Sequence, residues 1–382
     1  MHKKAIRLTA AIIILVQTSC FSAASFQGIG YLPGSVVRFS SAEAISADGS
    51  TIVGGAGYIS TSNKLQFHAF RWTSNSGMTD ISDLPEDAYS CFASDVSGDG
   101  SVIVGINENK AFIWTSANGT THIETYPDSS ESSSSIACDI SFDGTIVAGT
   151  AAHGTSYNNL EAFRWTAEEG ITGLGFLPNR PDNLQYGPES RAKAISYDGS
   201  VIAGCSNFQA FRWTTETGMV GIGDLQGGDF DSYAEDISAD GSVIIGTGTS
   251  DLGAEAFRWT QETGIVGLGD FEGGDFESHA YAVSADGSII IGTSVTDFDY
   301  EAFYWTAETG MLKLKDLLTE KYALDLSGWR LTDAYGISAD GTKIVGYGFN
   351  PQGFEEGWIV TIPEPATILL LTLGGLVFRK SF

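Results

Sequence analysis

Cysteine is scarce, with four in 382 residues at Cys20, Cys91, Cys138 and Cys205. Their irregular spacing, and the odd number left if an N-terminal leader is removed, exclude a disulfide framework. Stability must then come from an apolar core, which a chain of this length can bury. Basic residues are also few, 20 Lys and Arg against 47 Asp and Glu. Residues 25–362 alone hold 15 against 46. That charge repels phosphate backbones, excludes nucleic acid as a partner and favours solubility outside the cell. The five histidines, at positions 2, 68, 122, 153 and 279, show no metal-ligand spacing. No Asp-x-Asp-x-Asp-Gly array and no Gly-x-Ser-x-Gly elbow occurs. Gly28-Ile29-Gly30 and Gly267-Leu268-Gly269 open no helix and complete no dinucleotide fingerprint. The sequence therefore predicts no cofactor, no bound metal and no catalytic residue. Long apolar runs are missing too: Ala10–Val16 and Ala366–Phe378 both fall short of the roughly 20 residues that span a bilayer.

What is present is repetition. An apolar-Ser-x-Asp-Gly-Ser/Thr element recurs seven times, with its aspartate at Asp48, Asp99, Asp143, Asp198, Asp240, Asp286 and Asp340. Between copies lies Ala-Phe-x-Trp-Thr, with Trp72, Trp114, Trp165, Trp213, Trp259 and Trp305 in one slot. Gly357-Trp358-Ile359-Val360-Thr361 reads as a degenerate seventh copy, with Trp358 in the same slot. A third element is Gly-Met/Ile-x-x-apolar-x-x-Leu, as at Gly170–Leu177. Each Asp-Gly pair predicts a two-residue hairpin with positive φ at both positions. Each unit then reads as four strands, and the spacing of 42 to 53 residues between tryptophans matches propeller blades. The fold expected is all-β: a seven-bladed β-propeller of four-stranded blades over 25–362. The seventh unit lacks its own fourth strand. Gly28-Ile29-Gly30-Tyr31-Leu32 carries the fourth-strand motif, so the two ends should pair and close the ring.

The ends carry addresses. Met1-His2-Lys3-Lys4, a short apolar run and Ser22-Ala23-Ala24 make a secretory signal peptide over 1–24. Cys20 raises a lipoprotein alternative, but Gln17-Thr18-Ser19 lacks the usual leucine. At the other end stand Pro363-Glu364-Pro365, thirteen apolar or small residues, and Arg379-Lys380. This tail over 363–382 resembles the PEP-CTERM sorting signal of Gram-negative bacteria. The resemblance implies transient inner-membrane anchoring and handling by an exosortase, after signal peptidase has removed the leader. The repeat, with His68-Ala69-Phe70 as its literal triplet, resembles the HAF repeat of bacterial extracellular proteins and covers nearly all of 28–362. That family brings no established reaction.

Several residues invite a site and have blander readings beside it. The Asp-Gly pairs, with Asp229, Asp231, Asp236, Asp275 and Glu277 nearby, could hold calcium, but turn chemistry accounts for them. Arg71, Arg164, Arg212 and Arg258 share the slot before the tryptophan, where an ion pair with a neighbouring strand is expected. Pro178–Ala192 and Lys315–Leu331 break the repeat; the second reads as a short helix over one face. The function these features favour is an exported, non-enzymatic surface or extracellular-matrix protein. Its propeller would serve as an interaction platform for exopolysaccharide or other envelope components. The rival reading is a secreted hydrolase acting on extracellular polysaccharide.

Overall fold

The structure, a computed structural model, describes residues 23–84, 89–127, 129, 133–153, 160–178, 188–297 and 299–363. The leader up to residue 22, the tail beyond Pro363 and most of the 178–192 insertion lie outside the described residues. The chain forms seven four-stranded antiparallel sheets. Six are built in chain order, from Ser40–Ile45 through Gly77–Asp80 in blade 1 to Ser278–Val283 through Gly310–Lys313 in blade 6. Blade 7 is composite: Arg330–Ile337, Lys343–Phe349 and Glu355–Thr361 are completed by the N-terminal strand Ser25–Gly28. Among the described residues no helix is long and apolar enough to cross a membrane.

The expected closure is observed, with its strand just upstream of the quoted motif. Ser25 faces Thr361 and Gly28 faces Trp358, and the Ile29 amide then donates to Gly357 O at 2.9 Å. Ile29 and Leu32 are buried with Val345 and Ile359, so the seam has its own apolar contacts. Phe26 sits edge-on to Trp329, 5.0 Å between ring centroids.

Two expectations about the repeat need correction. The Asp-Gly turn is not a two-residue loop with positive φ at both positions. Only the glycine is left-handed, for example Gly49 at 67°. The turn spans Ser46-Ala47-Asp48-Gly49, with Gly49 N donating to Ser46 O at 2.8 Å. The serine explains the difference. Ser46 Oγ donates to Asp48 Oδ1 at 2.6 Å and accepts from Thr51 N at 3.0 Å, while Asp48 Oδ1 accepts from Ser50 N at 2.9 Å. The local side-chain bonds fold the aspartate back over the chain and lengthen the loop. All seven copies repeat the Ser-Oγ to Asp bond.

The second correction concerns Trp358. It pairs with Gly346 as Phe70 pairs with Gly54, whereas Trp72 pairs with Ile52. Trp358 therefore fills the phenylalanine slot, and Val360 stands where the other blades carry tryptophan. The phenylalanine slot is the deeper one. Phe70, Phe112, Phe163, Phe211, Phe257 and Phe303 are fully buried. Of the six tryptophans only Trp72 and Trp259 are buried, and Trp114, Trp165, Trp213 and Trp305 pack half-buried at the edges of the same clusters.

Candidate functional site

The innermost strand of each blade borders the propeller axis. In every blade it carries an irregularity in register, between Ala42 and Ala44 in blade 1 and at equivalent points in the other six. Such a bulge sets two residues opposite one and breaks the alternation of side chains. Two consecutive residues of every blade except the fourth then line the channel. The upper set, in blade order, is Glu43, Ser94, Cys138, Lys193, Glu235, Tyr281 and Tyr335. The lower set is Ala44, Asp95, Asp139, Asp236, Ala282 and Gly336, while Ala194 of blade 4 is buried in an inter-blade core cluster instead. The upper ring is a waist between an inner chamber of about 180 Å³ and an outer vestibule of about 540 Å³.

The end of the channel formed by the Ser-x-Asp-Gly turns is girdled by backbone. Gly98 N donates to Phe142 O, Phe142 N to Tyr197 O, Tyr197 N to Ala239 O, and Ala239 N to Ala285 O. Ala285 N donates to Ala339 O, Ala339 N to Ala47 O, and Asp48 N returns to Gly98 O. Every blade is thus tied to the next through the x position of its turn, except that blade 1 donates to blade 2 from the Asp48 amide. The other end carries the loops between blades, where the irregular segment after Lys313 also lies. That segment forms a helical turn over Leu314–Lys321, and buried Leu314, Leu318 and Leu326 pack it onto the core of blades 6 and 7. It is cover, as expected.

The lower-ring aspartates act across blades. Asp139 Oδ2 accepts from Ile195 N at 2.6 Å, Asp236 Oδ2 from Val283 N at 2.8 Å, and Asp95 Oδ2 from Ile140 N at 3.1 Å. Asp139 and Asp236 also accept from the amide that follows them in their own strand. Burial, reinforced by the Asp139 charge, pushes the Asp236 carboxyl up to about 8. Burial likewise raises Asp95 and Asp139, and the neighbouring Asp95 carboxylate adds to the rise at Asp139. In the waist, burial raises Glu43, whose Oε1 accepts from Ser41 Oγ at 2.6 Å. Lys193 bonds Glu235 at 3.2 Å, and that carboxylate raises the ammonium's pKa.

The residues singled out from the sequence divide cleanly. The seven turn aspartates stand at the girdled end, with their carboxylates held below the usual range by hydroxyls and amides of the same turn. His68 is buried and bonds Asp80 Oδ2 at 2.6 Å, away from the axis. At the same slot, Glu161, Glu255 and Glu356 accept from the amides of Gly175, Gly269 and Gly30 and fix the start of the next loop. Arg71 donates to Thr51 Oγ1 at 3.1 Å and Arg164 pairs with Glu169 at 3.3 Å, both within their own blades. Of the sorting motif only Pro363 is described; Glu364, Pro365, Arg379 and Lys380 lie outside. Among the described residues no group of three or more His, Cys, Asp or Glu is arranged to hold a metal ion. Of the channel residues the sequence marks Asp236, as a possible calcium neighbour, and Cys138, as a cysteine outside any disulfide framework, and it assigns the waist no role. Its signal was there, as two variable positions framed by the repeated Ala and the Ile/Val-Ser of each first strand.

No protein-family model and no curated protein matches the chain. Among solved structures it is similar to an oligogalacturonate lyase in complex with manganese, at 12% identity and TM-score 0.56, over 90% of this chain and 97% of that one. It is also similar to a prolyl endopeptidase, at 10% identity and TM-score 0.51, over 86% of this chain and 51% of that one. TolB from Acinetobacter baumannii aligns at 12% identity and TM-score 0.44, over 83% of this chain and 82% of that one. At such identities what is shared is the architecture: this chain is a seven-bladed β-propeller of four-stranded blades.

Proposed function

We propose that the chain is an exported envelope protein whose propeller is a non-enzymatic interaction platform, presenting its inter-blade loop face to exopolysaccharide or another envelope component. One observation carries this reading. Among the described residues ten large apolar side chains are exposed, and seven of them lie at that one end: Val36, Leu65, Tyr89, Phe230, Leu252, Tyr300 and Phe354. Exposed apolar groups gathered on one face, beside the acidic loops with Asp229, Asp251, Asp275 and Asp297, are what a docking surface requires. The buried channel aspartates support binding over catalysis, because one oxygen of each is engaged by a backbone amide of the next blade. Export, release by signal peptidase and sorting by an exosortase rest on the two terminal sequences.

The test is capture from the producer's own envelope fraction with purified protein, against a variant carrying Leu65→Ser, Leu252→Ser and Tyr300→Ser. A partner retained by the wild type and lost by the variant is the expected result. Equal retention by both would remove the loop face from the reading. Turnover of polysaccharide by the purified wild type would replace it with the hydrolase.

A further inference from the structure

The channel waist is asymmetric in a way the blade repeat does not require. Four consecutive blades, 5, 6, 7 and 1, contribute Glu235, Tyr281, Tyr335 and Glu43. Two aromatic rings therefore stand side by side, with centroids 5.2 Å apart and planes inclined by 48°, flanked by a carboxyl on either side. Both tyrosines are half-buried and line the cavity. The remaining three blades contribute Ser94, Cys138 and Lys193.

Charge is unbalanced over the same volume. Five carboxyl groups, Glu43, Asp95, Asp139, Glu235 and Asp236, line the inner chamber, and Lys193 is the one lysine or arginine among its lining residues. That ammonium is committed to Glu235 at 3.2 Å. Glu43 has a hydroxyl partner, Ser41, and no ion pair among the described residues. Burial holds the lower aspartates toward their protonated forms, as expected of carboxyls lacking a positive neighbour. An anionic ligand would worsen the imbalance, and a neutral one would leave it. A cation would relieve it, and the tyrosine pair adds ring faces that attract an organic cation desolvated at such a site. The chamber, at about 180 Å³, has room for a small cationic head and not for a folded peptide. The route in is the vestibule on the loop side, walled by Phe92, Ile106 and Ile136, which suits an apolar stem behind a charged head.

We infer that the channel waist is a binding site for a small alkylammonium ligand, its nitrogen held between Glu43 and the Tyr281–Tyr335 pair and its stem directed toward the vestibule. The site is separate from the loop-face docking surface and does not depend on it.

The probe is n-butylammonium chloride, titrated calorimetrically into the full purified chain at constant ionic strength. Sodium chloride and n-butanol serve as charge-only and stem-only controls. Saturable one-to-one binding is expected for the ammonium alone. Its methylene proton resonances should move upfield on binding, because they enter the shielding region of two aromatic rings. Glu43→Gln, nearly the same size and already uncharged, should weaken binding at least tenfold with an unchanged circular dichroism spectrum. Tyr335→Leu should roughly halve the upfield shift, since only the Tyr281 ring remains to shield the methylenes, while leaving weaker binding, which separates the ring contact from the charge. No saturable heat up to tens of millimolar, equal binding of n-butanol, or undiminished affinity in Glu43→Gln would each overturn the site. Equally potent displacement by calcium chloride would also overturn it, by showing a bare cation site without use for the rings.

Discussion

Raising the pH from 5 to 7.5 should destabilise this propeller, although acidic proteins are often expected to lose stability first on the acid side. Asp236 has its carboxyl pushed up to about 8 by burial in the channel wall and by the Asp139 charge. In the unfolded chain an aspartate titrates near ~3.9. The folded state therefore binds more protons than the unfolded state across this interval, and stability falls as pH rises. One such proton is worth about 1.4 kcal/mol per pH unit, so Asp236 alone removes roughly 3 kcal/mol between pH 5 and 7.5. The Asp95–Asp139 pair, with both carboxyls raised, acts in the same direction. Against a total stability of about 5–15 kcal/mol this is a large effect. The assay is urea unfolding at several pH values, with slopes checked to be constant. Asp236→Asn supplies the control. It cannot ionise, and it loses one acceptor for the amides of Ile237 and Val283. The variant should cost about 1–3 kcal/mol at pH 5 and converge on or cross the wild type by pH 7.5. General charge repulsion acts on both proteins, so the difference in their slopes isolates the group. Parallel pH profiles, or a wild-type midpoint that rises from pH 5 to 7.5, would refute the assignment of a protonated channel aspartate.

Further outcomes follow from other parts of the molecule. Ser238→Ala should cost about 1–3 kcal/mol in urea unfolding, because buried Ser238 Oγ accepts from Val243 N at 3.0 Å and that amide would lose its partner. Ile29→Ala, at the seam where the chain ends meet, should cost about 2–5 kcal/mol, similar to Leu174→Ala in the matching slot of blade 3. A wild-type midpoint for Ile29→Ala alone would show that the N-terminal strand does not hold the ring. Trp358→Phe should stay within about 1 kcal/mol of the wild type, since the lost contacts are offset by removing a buried indole N–H that has no partner among the described residues; Phe163→Ala should cost about 3–5 kcal/mol. Mass spectrometry of C-terminal peptides from protein recovered at the cell surface should lack the end Arg379-Lys380-Ser381-Phe382, and its presence in the bulk of the protein would make the tail a plain anchor.

Blade number, blade composition and ring closure could be read from the chain alone, because each depends on short-range pattern. Ser-x-Asp-Gly marks one hairpin per blade, and Ala-Phe-x-Trp-Thr marks one third strand. Gly28–Leu32 carries a fourth-strand motif at the wrong end of the chain, which only a closed ring can use. Trp358 stands two residues before the tryptophan slot that the sequence pattern assigns to it, because the slot is defined by the glycine across the ladder, Gly346, and not by tryptophan itself. The channel was decided by tertiary structure. A regular strand sends Glu235 and Asp236 to opposite faces, and only the bulge turns both toward the axis. Asp95, Asp139 and Asp236 share an environment because the blades that carry them meet around that axis, and their proton affinity comes from burial that no local spacing encodes. The belt through Ala47, Gly98, Phe142, Tyr197, Ala239, Ala285 and Ala339 has the same origin: it uses backbone groups alone, so side-chain identity at those positions carries no record of it.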